Sequence, residues 1–343
     1  MARIRYVSPG VAAAIAVVAI GAGLTTGKTV FGGGDSAAGG GPSAIAGTRI
    51  DVITKATDSE FWQSMLAGSK KAGKDLGVKL GLFGPTSETD IDGQVKLVEN
   101  SISRGADAIV LASNSSTALN GAVKRARARG IKVITVDNAI TTPSEGFIGT
   151  DNIKAGQQAG ARMCELLKDK GQENGKVVHE TSVSGQQVLV DRYTGFKEGL
   201  AKDCPDADIV QTLANDNDIN KAVSQVGDVL SSRDDVVGVF ADNNVGGTGA
   251  ARAIKEKSAA SRITSVAFDS DPAEVDAVKN GGLSAIVVQN PFFFGYQGVV
   301  EAGMVVRGSR PPVNLDPGAV VIDKSLAAKP EYQSLLDPPK TKG

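Results

Sequence analysis

Histidine is almost missing from this chain: His179 stands alone among 343 residues. A zinc centre and a Ser-His-Asp machine both draw on histidine, so either would have to be assembled nearly without it. His179 falls inside an apolar run and reads as a structural residue. Cysteine is equally scarce, and Cys164 and Cys204 lie far apart with no CxxC spacing, which argues against a thiol redox site. Excess charge is lacking too: 37 basic and 38 acidic residues leave a net charge of −1, with no basic surplus for nucleic acid. The glycine runs at 32–34 and 39–41 follow no strand and meet no Gly-Lys-Ser/Thr, so they do not cradle phosphate. Asp216, Asp218 and Asn220 alternate as in a calcium loop, but no glycine or distal glutamate completes it. No metal and no cofactor is expected. The first strand is not followed by a GxGxxG turn, and no nucleophile–base pair is evident, so an enzyme is not expected either.

What is present begins at the N-terminus. Arg3 and Arg5 precede an uncharged stretch from Tyr6 to Gly27, with an apolar heart from Val11 to Leu24 and small residues Gly21, Ala22 and Gly23 near its end. Residues 1–27 read as an export signal, with an uncleaved anchor as the alternative; the heart is short for a membrane span. No cysteine stands near its end, which excludes lipid attachment there. A repressor sharing this fold would carry a helix-turn-helix at that place. Residues 28–47 are rich in glycine and alanine and read as a flexible linker. Export would place Cys164 and Cys204 in an oxidising compartment, where a disulfide is expected and two separate buried thiols are the alternative.

From Arg49 onward, short apolar runs alternate with amphipathic stretches. The nine runs are RIDVIT, VKLGLF, DAIVLA, KVITV, KVVHE, DIVQTL, VVGVFA, ITSVAF and LSAIVV. Repeated β-α units predict an α/β fold of parallel sheets with helices on both faces, and this many strands fit two doubly wound sheets better than one. An internal echo supports two halves. Asp107–Asn114 resembles Asp235–Asn243; each is followed by a small-residue helix and then by a strand ending in aspartate, Asp137 or Asp269.

In open parallel sheets, ligands bind beyond the carboxyl ends of the strands. The residues predicted there are polar: Lys55, Asp58, Ser59, Phe61 and Trp62 after the first strand, Asp137 and Asn138 after the fourth, and Asp191 and Arg192 beyond the fifth. Asp216, Asn217 and Asp218 follow the sixth, Asp242, Asn243 and Asn244 the seventh, Asp269 and Asp271 the eighth, and Gln289 and Asn290 the ninth. Carboxylates, amides and an arginine can take sugar hydroxyls in pairs, while aromatic rings stack on the C–H face. Singly, each of these residues also reads as a cap or turn.

The segments VITKATDSEFWQSMLAGSKKA, ITVDNAI, FIGTDNIKAG, DRYTGFKEGL, VVGVFADNN, SVAFDSDPAEVDAVKNGGLSAIVVQNP and FFFGYQGVVEAG, in this order, resemble the type I periplasmic sugar-binding proteins, the ribose-binding-like family, over about Arg49 to Lys324. The resemblance implies two doubly wound lobes joined by a three-stranded hinge: residues 48–150 with 290–318, and 151–289 with 319–330, followed by a tail at 331–343. It implies a ligand-binding set of Lys55, Ser59, Phe61, Trp62, Asp137, Asn138, Arg192, Asn217, Asn243, Asp269 and Gln289. Asn217 stands where the ribose binders place an aromatic, Lys55 replaces a small polar residue, and Asn138 replaces an arginine. One positive charge has thus moved across the pocket, which leaves another pentose, a hexose or a polyol open beside ribose. The implied partners are a carbohydrate ligand and an ABC transporter permease, with a monomeric protein outside the cytoplasm. A sensor feeding a membrane receptor, or a binder of a non-sugar solute, is the alternative.

Overall fold

The computed structural model describes residues 45–183, 186–311 and 314–341. The expected export segment and most of the expected linker lie outside these. Ile45, at the linker's end, already packs into the core of the first lobe.

Among the described residues twelve strands form two six-stranded sheets. The first contains β1 (Arg49–Ile53), β2 (Lys79–Phe83), β3 (Ala108–Leu111), β4 (Lys132–Val136), β5 (Gly146–Ile148) and β11 (Asn314–Leu315), ordered β11-β5-β4-β3-β1-β2 and parallel throughout. The second contains β6 (Lys176–Thr181), β7 (Asp208–Ala214), β8 (Val236–Ala241), β9 (Thr264–Phe268), β10 (Ala285–Val288) and β12 (Val320–Asp323), ordered β12-β10-β9-β8-β6-β7, with β12 antiparallel at the edge. The two orders are the same plan. In each, the strand order reverses beside the first strand of the lobe, which opens a crevice at the strands' carboxyl ends.

Central strands such as AIVL in β3 and AIVV in β10 are buried along their whole length. Helices cover both faces, so the strands need no polar side. The first lobe carries α1 (Glu60–Leu76), α2 (Ile91–Ser103) and α3 (Asn120–Ala128); the second carries α4 (Asn152–Asp169), α5 (Gln187–Asp203), α6 (Ile219–Ser232), α7 (Asn244–Glu256) and α8 (Pro272–Asn280). Helix α9 (Pro291–Val306) follows β10 but packs on α1, β3 and β4 of the first lobe. The chain therefore crosses between the sheets three times: after β5, after β10 and after β11.

Nine strands were legible as apolar runs; β5, β11 and β12 were not. β5 and β11, at 3 and 2 residues, are too short to show a period, and β12 is an edge strand only partly buried along its length.

Close helix contacts rest on glycine. A Cβ on Gly295 of α9 would lie 1.9 Å from the Met65 carbonyl oxygen of α1. Gly295→Ala is expected to destabilise the protein by about 1–3 kcal/mol through overpacking, read as a lowered denaturation midpoint.

Cys164 on α4 and Cys204 after α5 are disulfide-bonded, with Cα atoms 5.7 Å apart. Of the segment expected as a tail at 331–343, the described residues 331–341 pack against both lobes. After α10 (Lys324–Ala327), a 3-10 turn (Pro330–Tyr332) and α11 (Gln333–Leu336), Leu336 is buried in the second lobe, and the Ser270 hydroxyl donates to the Leu335 carbonyl at 3.2 Å. The chain then reaches the first lobe. Lys340 pairs with Glu60 of α1, and the Thr341 N–H donates to the Gln63 carbonyl at 3.2 Å.

Candidate functional site

Both sheets point their carboxyl ends at one narrow gap between the lobes. Two aspartates enter it by the same backbone device. Asp137 follows β4 and Asp269 follows β9, the equivalent strand, and both hold positive φ, 60° and 83°. Each N–H is tied to the neighbouring strand, Asp137 to the Ile148 carbonyl at 2.8 Å and Asp269 to the Val287 carbonyl at 2.9 Å. Left-handed backbone at a non-glycine residue costs of order 1–3 kcal/mol and persists only where its surroundings enforce it. Here it turns one carboxylate from each lobe into the shared gap.

On the first-lobe side, Lys55 from the β1 loop pairs with Asp137 at 2.7 Å, both side chains almost wholly buried. Its ammonium lies 5.7 Å from the centre of the Trp62 ring. Ser59, Phe61 and Trp62 come from the start of α1, where the two rings meet edge-on with centroids 4.8 Å apart. The Trp62 indole N–H donates to Glu88 Oε1 at 2.8 Å.

On the second-lobe side, Arg192 projects from α5. Its Nε donates to Asn152 Oδ1 at 2.8 Å and its Nη1 to the Asp242 carbonyl at 2.8 Å, while the guanidinium lies 4.4 Å from the Phe268 ring centre. Asn243 caps α7 by accepting from the Gly246 N–H at 3.0 Å and also lines the gap. Gln289, on the crossing after β10, donates to Asp269 Oδ1 at 2.6 Å and accepts from the Thr150 hydroxyl at 2.8 Å. Thr150 sits on the crossing after β5, so this amide ties two of the connections together. Burial pushes the Asp269 carboxyl above the usual range, with Arg192 and the Gln289 bond pulling the other way.

Nine of the eleven residues in the implied ligand-binding set therefore meet in one place: Lys55, Ser59, Phe61, Trp62, Asp137, Arg192, Asn243, Asp269 and Gln289. Two do not. Asn138 turns beneath the gap, fully buried, and its Nδ2 donates to the Ser113 carbonyl at 3.0 Å, joining the ends of β3 and β4. Asn217 follows the edge strand β7 in a left-handed turn, φ 64°, and its N–H donates to Asn215 Oδ1 at 2.9 Å. The other lining residues, Glu88, Ser182, Gln186, Val188, Leu189 and Asn244, were not among those singled out as the site. Val188 and Leu189 lie one helical turn before Arg192, a spacing that could have revealed them. Glu88 sits in a polar loop after β2 that reads only as a turn.

Beneath the second-lobe half lies a buried polar cluster. His179 Nε2 contacts Asp242 Oδ2 at 2.9 Å and its ring stacks on Tyr193 at 4.1 Å, consistent with a structural histidine. Next to it Glu180, fully buried, accepts from Asn215 Nδ2 at 2.9 Å. Burial, with help from Asp242, raises its pKa from 4.5 to about 8, against the Asn215 bond and Lys221. The folded state thus keeps this proton longer than the unfolded chain does. Stability from this group is complete below about pH 4.5 and declines as pH rises toward 8. Glu301, raised to about 7, adds to the same trend. The melting temperature is expected to fall between pH 5 and 8, and Glu180→Gln to flatten that slope and to stabilise the protein at pH 8; calorimetry at several pH values measures both.

A family model described as a periplasmic binding protein domain matches residues 50–310. The chain belongs to the periplasmic binding protein family. Within it, the ribose import binding protein RbsB of Haemophilus influenzae is 29% identical over 269 residues, spanning 78% of this chain and 89% of that relative. A carbohydrate transporter solute binding protein from Agrobacterium radiobacter, solved in complex with D-arabinose, superposes with a TM-score of 0.82 at 32% identity, covering 85% of this chain and 99% of the other. An ABC transporter solute binding protein from Agrobacterium vitis, bound with alpha-D-tagatopyranose, gives 0.78 at 30% identity, covering 84% and 99%. The fold is thus shared with solute binding proteins solved with D-arabinose and with alpha-D-tagatopyranose.

Proposed function

We propose that this protein is an extracytoplasmic solute-binding protein, not an enzyme, that captures a monosaccharide or polyol by lobe closure and hands it to an ABC transporter permease. One observation carries the reading: charged acceptors, charged donors, amides and an aromatic pair converge from both lobes on one gap. That mixture suits a guest with many hydroxyls around a C–H face. The relatives named above, one for ribose import and two solved with D-arabinose and tagatose, support it.

The proposed mechanism follows from the connections. Three crossings allow the lobes to swing, and a guest that touches both binds the closed form better and shifts the population toward it. Micromolar affinity needs about −8 kcal/mol net. Several charge-assisted hydrogen bonds at roughly 1.5–3 kcal/mol each, less the ordering cost, supply that. In this reading the protein acts as a monomer outside the cytoplasm, and the permease recognises the closed shape.

A thermal-shift screen against pentoses, hexoses and polyols tests the proposal, since a ligand of the folded form raises the melting temperature. A sugar or polyol is expected to give the largest shift, and Trp62, the single tryptophan, is expected to change its fluorescence on addition. A shift with an amino acid or nucleoside and none with any carbohydrate would sink the assignment.

A further inference from the structure

Glu88 has a place in the gap that the resemblance does not assign. Its loop, between β2 and α2, is pinned by the first lobe itself. The Thr54 hydroxyl lies 3.2 Å from the Phe83 carbonyl, the Thr57 hydroxyl lies 3.4 Å from that of Pro85, and Asp90 closes the loop by capping α2. The carboxylate is therefore positioned before any guest arrives.

Its surroundings hold more carboxyl groups than cations. Three carboxylates line the gap, Glu88, Asp137 and Asp269, against two cations, Lys55 and Arg192. Lys55 is taken by Asp137, and Arg192 is held by Asn152 and the Asp242 carbonyl. Among the described residues, the hydrogen bond that fixes Glu88 comes from the neutral Trp62 indole. Burial raises its carboxyl above the usual range, and the pull of Lys55 and the indole bond offsets this only in part. A half-buried acceptor in this position is well placed to take donors on the guest.

The indole bond also says which part of a guest would meet it. The Nε1–H lies in the ring plane, so Glu88 stands at the edge of Trp62 and not over its face. A sugar resting on that face presents C–H groups to the ring and sends its equatorial hydroxyls outward past the edge.

We propose that Glu88 is a specificity-determining contact of this site, accepting from a guest hydroxyl that projects beyond the Trp62 edge and so selecting among sugar epimers. This rests on the sugar-binding reading. It is tested by isothermal titration of the wild type, Glu88→Gln and Glu88→Ala with D-ribose, D-arabinose and D-tagatose. Glutamine keeps an oxygen for the Trp62 indole but loses the charge. Glu88→Gln is expected to weaken the best-bound sugar about tenfold or more and to change the order of preference among the three. If Glu88→Gln matches the wild type while Glu88→Ala loses affinity, Glu88 only positions Trp62 and the inference is overturned. Wild-type behaviour in both variants overturns it as well. If the wild type takes none of the three but binds another carbohydrate in the thermal-shift screen, the same comparison is made with that sugar. If it binds no carbohydrate, the underlying reading has failed and this inference falls with it.

Discussion

Arg192→Ala is expected to weaken sugar binding about 100-fold or more, with the unliganded fold retained. The guanidinium is 3% exposed and enters the gap from the lobe opposite Lys55. It is held by two hydrogen bonds and by the Phe268 face, so little order has to be gained when a guest binds. Two lost charge-assisted contacts at roughly 1.5–3 kcal/mol each amount to a factor of about a hundred or more. Arg192 also offsets the burial of Asp269, so its loss pushes that carboxyl further up and weakens a second contact. Arg192→Lys separates fork from charge. A lysine keeps the charge but not the planar geometry, and an intermediate loss is expected. Titration calorimetry, with circular dichroism of the unliganded variants, measures the effect; unchanged affinity in Arg192→Ala would remove this residue from the site.

Lys55→Met is expected to destabilise the protein by about 3–5 kcal/mol as well as to impair binding. Breaking a buried ion pair from one side leaves the other charge without compensation, and Lys55 and Asp137 are 3% and 5% exposed. The second substitution decides the cause. Lys55→Met combined with Asp137→Asn removes both charges and is expected to recover most of the stability, because replacing a whole buried pair is often close to neutral. It is not expected to recover binding, since the charged acceptor and the ammonium donor are gone. Urea denaturation of the three variants supplies the comparison; a wild-type midpoint for Lys55→Met would show that the pair contributes nothing to folding.

Much of this architecture could be read from residues alone, for a definite reason. Strands buried on both faces appear as unbroken apolar runs, and the repeated order of run, small-residue helix and aspartate matches β3 with β8 and Asp137 with Asp269. What escaped was set by geometry without a periodic trace. Strands β5, β11 and β12 are held by their neighbours and not by their own pattern. Asn138 follows Asp137 directly, but the left-handed turn at Asp137 sends the two side chains apart, one into the gap and one under it. Asn217 belongs to the loop of an edge strand, where the chain turns toward the cap of α6 and away from the crevice. Glu88 reaches the gap only because its loop folds back over the start of α1, a tertiary contact that one sequence does not announce.

The C-terminal stretch has a practical bearing. Leu336 is rooted in one lobe, while Lys340 and Thr341 grip α1 of the other. A purification handle or a surface anchor fixed there would tug on the hinge motion itself. Immobilising the protein for binding measurements is better done through an exposed site on a single lobe, away from this clasp.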